Sequence, residues 1–310
     1  IRNVDMAEYV KKKKEEMTPA ESIDPAEDIK DNNEEDEIIL KPQTSKFEPK
    51  AELFRLPSGG VGLNPKYLTD GDKVYLRRTT TKEEDIIYDF IQLLLSNNDE
   101  SNISQMTHEM MIMMDKVNES CLKTNIPISE FLMVDREAMF YFVVGLGYGK
   151  QTETNFVCEH CGEPITGEFD ITKDIKINYF FDDKKAQYPA KIKLKSIDNV
   201  ALEIRHLKCG ETWMLFDNKI KQSELFKTIT LKATNYKTGE EFDKKDIADI
   251  VTSLDDKDRK AIKNFFDKFN EIGITFEISK KLCKCGKTNK FTYPLQNLLF
   301  EKIKIKDAIV

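Results

Sequence analysis

Two short cysteine clusters constrain the folding of this chain more than anything else in its 310 residues. In Cys158-Glu159-His160-Cys161-Gly162 and Cys283-Lys284-Cys285-Gly286, 121 residues intervene between Cys161 and Cys283, so a fold that unites them must close a long loop. Each cluster is short enough for one tight turn to aim both sulfurs at one ion. The glycine that follows can take positive φ and bring backbone N–H groups toward the sulfurs. Four thiolates suit zinc in a closed tetrahedron with no open position for substrate or water. Cys158, Cys161, Cys283 and Cys285 are therefore expected to hold one structural Zn2+ rather than a catalytic one. The first cluster, with two residues between its cysteines, is the stronger signal; the second, with one, takes its weight from the first.

Six cysteines are too few for a disulfide scaffold, and Cys121 and Cys209 read as ordinary thiols. A redox dithiol of thioredoxin type expects a βαβ pattern around its Cys-x-x-Cys, which does not surround Phe156. His160 as a substitute ligand, and His206 with Cys209 as a further half-site, are more simply read as surface or packing residues.

Other functional classes are disfavoured by composition and by the absence of motifs. The net charge of −7 and pI near 5.3 leave no basic field to attract phosphates, so broad nucleic-acid binding is not expected. Apolar runs such as Phe140 to Leu146 are far shorter than the roughly 20 residues that cross a bilayer, and no signal-peptide pattern opens the chain. A soluble protein made inside the cell, without a membrane partner, is expected. Gly145-Leu146-Gly147-Tyr148-Gly149 lacks the lysine and hydroxyl residue of a phosphate loop and follows a helix pattern rather than a strand. His108-Glu109 lacks the second histidine of a zinc protease, and no serine sits in a nucleophile elbow. The chain is read as a non-enzyme with no small-molecule substrate.

Along the chain, residues 1–50 carry no sustained apolar period, and Glu21 to Glu37 holds nine acidic residues against one lysine, Lys30. Such a segment cannot bury a core of its own and is expected to gain order from partner surfaces, as an extended acidic arm. A strand is expected at Val74 to Arg77. Thr80 and Thr81 each precede a glutamate by three positions, Glu83 and Glu84, the spacing of a helix-starting capping box. Ile86, Ile87, Phe90, Ile91, Leu94 and Leu95 then supply the core face of the helix. The run Met110 to Met114 reads as buried packing, and a further helix from Asp135 to Leu146 is expected to weaken or stop at Gly145, Gly147 and Gly149. From Lys191 to Leu207 the period changes to alternation, with a turn at Ser196 to Asn199, giving a hairpin. Helices follow at Lys244 to Leu254 and Asp256 to Ile272, the second with an Ile262, Phe265, Phe266 and Phe269 face. The expected class is α+β: an arm over 1–50, a mostly helical part over 51–155, a four-cysteine, zinc-clamped α+β part over 156–300 and a tail over 301–310.

Several segments, taken in order, point to a family. Leu56-Pro57-Ser58-Gly59-Gly60, Gly71 to Arg77, Thr79 to Asp85, Met133-Val134-Asp135-Arg136, Gly147-Tyr148-Gly149, Phe156 to Gly162, Glu168-Phe169-Asp170, Gly273-Ile274, Cys283 to Gly286 and Asn297 to Phe300 together resemble the T4-like phage baseplate hub assembly protein family, over about residues 53 to 300. The resemblance implies a component that helps build the baseplate hub of a contractile tail. Its implied partners are other baseplate and tail proteins, and its implied location is the virion tail, with the host cytoplasm during assembly. The long acidic arm departs from the family pattern. The competing reading is a zinc-ribbon nucleic-acid-binding regulator with Lys281, Lys284, Lys287 and Lys290 on its second knuckle. Overall charge argues against it, since such lysines usually form a solvated face.

Overall fold

A computed structural model describes residues 47–292 of the chain, apart from 68–70, 97–102, 149–150, 171–175, 181–186, 218, 270, 276 and 281–282. Residues 1–46 of the arm, the segment Asn297 to Phe300 and the tail over residues 301–310 lie outside the described residues.

The first described element is an antiparallel pair, β1 (Ala51–Arg55) and β2 (Lys73–Arg77), in register from Ala51 opposite Arg77 to Arg55 opposite Lys73. The strand expected at Val74 is thus present. The Leu56-to-Gly60 stretch turns away from β1 with Gly59 and Gly60 at φ 70° and 75°, a conformation that glycine adopts without steric cost. Helix α1 (Thr81–Ser96) starts at the expected capping position. Glu83 accepts from the Thr80 N–H and hydroxyl at 2.9 and 2.8 Å. Its apolar face is buried at Ile87, Phe90 and Ile91, with Ile86 and Leu94 packed partly against the same core. Helix α2 (Ile103–Cys121) contributes Met113, Met114 and Val117 to that core, so the methionine run is packing. Helix α3 (Met133–Tyr148) supplies Ala138, Met139, Phe140, Tyr141, Val143 and Val144.

The expected stop at Gly145 does not occur, because α3 continues to Tyr148. Gly147 is needed for proximity instead: a Cβ there would lie 1.8 Å from the Thr79 hydroxyl oxygen. The backbone of α3 can therefore pass against the segment leading into α1. Gly149 lies outside the described residues.

The second half opens with a hairpin, β3 (Gln151–Val157) and β4 (Pro164–Asp170), paired along its whole length. Next come β5 (Lys176–Asn178), β6 (Ala190–Lys193), β7 (Val200–Ile204), α4 (Gln222–Ile229), β8 (Thr230–Asn235), α5 (Lys244–Thr252), α6 (Asp256–Phe269) and β9 (Gly273–Thr275). The hairpin β10 (Glu277–Lys280) and β11 (Asn289–Thr292) ends the described chain. β5 and β9 pair antiparallel, so residues 179–272 leave and re-enter through one short ladder.

Within that module β6, β7 and β8 form a three-stranded sheet, with the hairpin turn closed by Asn199 at φ 63°. Strand β8 extends the expected hairpin by one partner. The Asp243 carboxylate caps α5 by accepting from the Asp246 N–H at 2.8 Å, and Asp255 does the same for α6 from Asp258 at 2.9 Å. Leu202, Ile204, Ala233, Ile229 and Ile262 centre a core belonging to this module. Phe180 and Phe269 join Leu132 and Val134 of the first half in a smaller cluster. The fold is α+β, as expected. Among the described residues no helix is long and apolar enough to cross a membrane.

Buried polar contacts hold the module to the helical body. The Arg136 side chain, on α3 and 1% exposed, reaches Asp115 of α2 at 2.7 and 3.1 Å. It also donates to the Cys209 carbonyl at 3.0 Å and the Thr212 hydroxyl at 3.1 Å, in the 3-10 turn Cys209–Leu215 of the module. Cys209 N–H donates in turn to the Phe131 carbonyl at 2.7 Å.

Candidate metal centre

Each cysteine cluster sits on a knuckle whose local sequence shapes it. In the first, Cys158 N–H donates to the Glu163 carbonyl at 2.8 Å and Gly162 N–H to the Cys158 carbonyl at 2.9 Å, with Gly162 at φ 75°. In the second, Gly286 N–H donates to the Cys283 carbonyl at 3.0 Å with Gly286 also at φ 75°, and the Cys285 N–H points at the Cys283 sulfur at 3.5 Å. A side chain at either glycine would meet open space but would strain the backbone, so conformation rather than crowding requires glycine there. The knuckles are tied together by Asn289, a buried residue whose Oδ1 accepts from the Glu159 N–H at 3.2 Å.

All four sulfurs lie within 4.8 Å of one another. Cys158 and Cys285 are 3.7 Å apart, and Cys161 and Cys283 3.4 Å. A regular tetrahedron of thiolates about 2.3 Å from zinc has sulfurs about 3.8 Å apart, so the set is close to the size such an ion requires. Burial opposes charge on Cys158, but the N–H groups of His160 and Cys161 and the sulfurs of Cys161 and Cys283 hold its thiol down at about 6. Cys283 receives the Cys285 N–H, yet the Cys161 sulfur and burial push it up to about 12. Cys161 is raised as well: the Glu163 N–H and the Cys283 thiol favour its charge, while Cys158 and burial oppose it. Sulfurs this close repel once one is ionised, and only a cation among them lets all four carry charge. The cluster can hold a metal ion.

The other residues weighed in the sequence fall elsewhere. His160 is exposed and its Nε2 lies 2.9 Å from the Thr288 carbonyl, joining the two knuckles without entering the sulfur cluster. His206 is buried against Phe266 and Phe269, with ring centroids 4.6 and 4.5 Å away, and burial lowers its pKa to about 4. Cys209 is buried beside the Leu132 carbonyl, and burial raises its thiol pKa. Cys121 lies 3.6 Å from Arg77, and burial pushes its thiol up to about 12. Among the lysines of the second knuckle, Lys284 and Lys287 are exposed. Lys281 and the side chain of Lys290 are outside the described residues.

Sequence reasoning missed how the distinctive segments meet. Ser58 donates to Asp135 from its N–H at 3.0 Å and its hydroxyl at 2.7 Å, and its hydroxyl accepts from Gly60 N–H at 3.0 Å. Arg77 joins Glu83 through both terminal nitrogens at 3.0 and 2.9 Å, and Glu48 through Nε at 3.1 Å. Glu48 also pairs with Lys123. These charged groups lie in loops, at helix starts and, for Arg77, at the end of β2, where no periodicity marks them as buried. Each finds its partner only in three dimensions.

Burial pushes the Asp135 carboxyl from its ordinary 3.8 up to about 6, against the pull of the Ser58 donors. A carboxyl raised in the folded state binds its proton more tightly there. The stabilisation this gives is full below about 3.8 and is lost as pH rises through about 6. Asp135→Asn is expected to remove that dependence. The difference in unfolding free energy between parent and variant should change from about pH 4 to about pH 6 and level off above about 7. His206, which resists protonation when buried, acts in the opposite sense over the same window. Denaturant unfolding of both chains across this range isolates Asp135, and a flat difference would show that it is not responsible.

Among protein-family models, that of the T4 bacteriophage base plate protein matches residues 49–301. Searches of curated proteins and of solved structures return no match.

Proposed function

From the premise that the chain belongs to the T4 bacteriophage base plate protein family, we propose that it is a structural or assembly component of a contractile phage tail baseplate, at or near the hub. In this reading it works through interfaces with other baseplate and tail proteins and carries one structural zinc on Cys158, Cys161, Cys283 and Cys285. The observation that carries the metal reading is the convergence of four sulfurs within 4.8 Å from two knuckles far apart in sequence. A four-thiolate tetrahedron is closed, so the ion's role is to tie hairpin β3–β4 to hairpin β10–β11 and thereby steady the base of the inserted module. The chain contributes surfaces rather than bond-making chemistry, in the virion tail and, during assembly, in the host cytoplasm.

The acidic arm supplies one of those surfaces, and residues 47–50 locate its root. Glu48, with its side chain 9% exposed, is paired with Arg77 and Lys123. A chain beginning at Phe47 is expected to keep the melting temperature of the full chain. One beginning at Ala51 should lose about 2 kcal/mol, because two largely buried cations lose a carboxylate. In a phage lacking this gene, the Phe47 chain should fold yet yield few intact tails by electron microscopy, since the partner-binding segment is gone. Normal tail numbers with the Phe47 chain would remove the arm from assembly.

A further inference from the structure

We propose that the four-cysteine centre is also a thiol oxidation site, built so that oxidation replaces the metal clamp with two disulfides across the knuckles, Cys161–Cys283 and Cys158–Cys285. The inference deepens the metal reading, but it rests on the placement of the sulfurs and not on the identity of any ion.

Within a cluster whose sulfurs all lie inside 4.8 Å, two sulfur contacts cross between the hairpins: 3.4 Å for Cys161 with Cys283 and 3.7 Å for Cys158 with Cys285. Within each pair one cysteine is exposed and the other buried. Cys161 and Cys285 are open to solvent, while Cys283 and Cys158 are 9% and 2% exposed. That is the arrangement of an attacking thiol with a resolving partner behind it. The exposed cysteine gives its thiol proton to solvent and, as a thiolate, attacks hydrogen peroxide, breaking the O–O bond. The sulfur becomes a sulfenic acid, and the hydroxide released takes a proton to become water. The buried partner then attacks that sulfur as a thiolate, its proton passing to solvent; the S–S bond forms and a second hydroxide leaves, to be protonated to water. Two thiols and one peroxide thus give one disulfide and two waters. Oxidation of both pairs leaves no thiolate to hold an ion.

The pairing decides the consequence. Bridges within a knuckle, Cys158–Cys161 or Cys283–Cys285, would release the 121-residue loop; bridges across the knuckles keep it closed covalently. A tail component built in a reducing cytoplasm and released into an oxidising medium passes between the conditions that favour each form. Cys121 and Cys209, both buried and away from the cluster, serve as internal controls.

The full chain, as purified, is titrated with hydrogen peroxide, digested without reduction and mapped by mass spectrometry. Released zinc is followed with a chromophoric chelator. Both cross-knuckle bridges are expected, with one zinc released per chain and Cys121 and Cys209 still reduced. After limited proteolysis, fragments carrying 151–170 and 283–292 should stay joined until reductant is added. Cys285→Ser should leave the Cys161–Cys283 bridge and abolish the other. Bridges confined to single knuckles, or cysteines driven to sulfinic and sulfonic acids without bridging, overturn the proposal. A chain that carries no zinc but still yields the cross-knuckle pairs supports it and overturns the metal reading alone.

Discussion

Replacing Cys161 with serine, or removing metal with a chelator, is expected to lower the stability of the chain by about 4 kcal/mol, the scale on which closing a loop of roughly 100 residues acts. Structural zinc sites in isolated peptides carry apparent binding energies of about 10 to 16 kcal/mol. Here the loss should be smaller, because the β5–β9 ladder and the Arg136 contacts close the same loop independently. The loss should also be local. Amide exchange should accelerate in β3–β4 and β10–β11, whereas Val117, Phe140 and Val143, in a core made mainly by α1, α2, α3 and the β1–β2 pair, should stay protected. Thermal melts with and without chelator, beside elemental analysis showing about one zinc per chain, make the comparison. An unchanged melting temperature in metal-free protein would sink the structural role.

The second large effect is expected at Arg136. Arg136→Ala should cost about 2–3 kcal/mol, since it removes a fully buried guanidinium and its hydrogen bonds and leaves Asp115, itself about a third exposed, without its cation. Burial already raises the Asp115 carboxyl to about 6 against the pull of that same guanidinium, so the carboxylate depends on the arginine for its charge. The Cys209 carbonyl keeps the Thr212 hydroxyl at 2.9 Å, which confines the damage to the ion pair and the lost packing. A double variant, Arg136→Met with Asp115→Leu, should therefore lose much less than Arg136→Ala alone. Denaturant unfolding of the three chains tests this, and a loss near 0.5 kcal/mol for Arg136→Ala, the range of an ordinary surface change, would contradict it.

Legibility in the sequence followed the physics of each element. The helix faces of α1 and α6 and the β6–β7 hairpin repeat their apolar residues at their own periods, and such periods survive whatever packs against them. Helix α3 is apolar nearly all round, so in its sequence only glycines mark an end. Gly147 instead serves the close pass by Thr79. Asp135 and Arg136 sit side by side, one buried against Ser58 and the other in the seam with the module. Neither role could be read from a lone charged residue, because burial of a charge depends on a partner distant in sequence.

The amino-acid sequence by itself determined the α+β class, the main periodic elements and the candidate ligand set, since thiol spacing and apolar period are local properties. Tertiary structure alone decided that the four cysteines bracket the three-stranded module instead of lying in its core, which Leu202, Ile204 and Ile262 occupy. It placed Cys158 and Cys283 with the helical body, and it brought Cys161 to Cys283 and Cys158 to Cys285 across the two hairpins. The reason is that loop closure over 121 residues is not encoded at either end. It follows from the β5–β9 ladder and the Arg136 seam, whose members are distant in sequence and meet only in the folded chain.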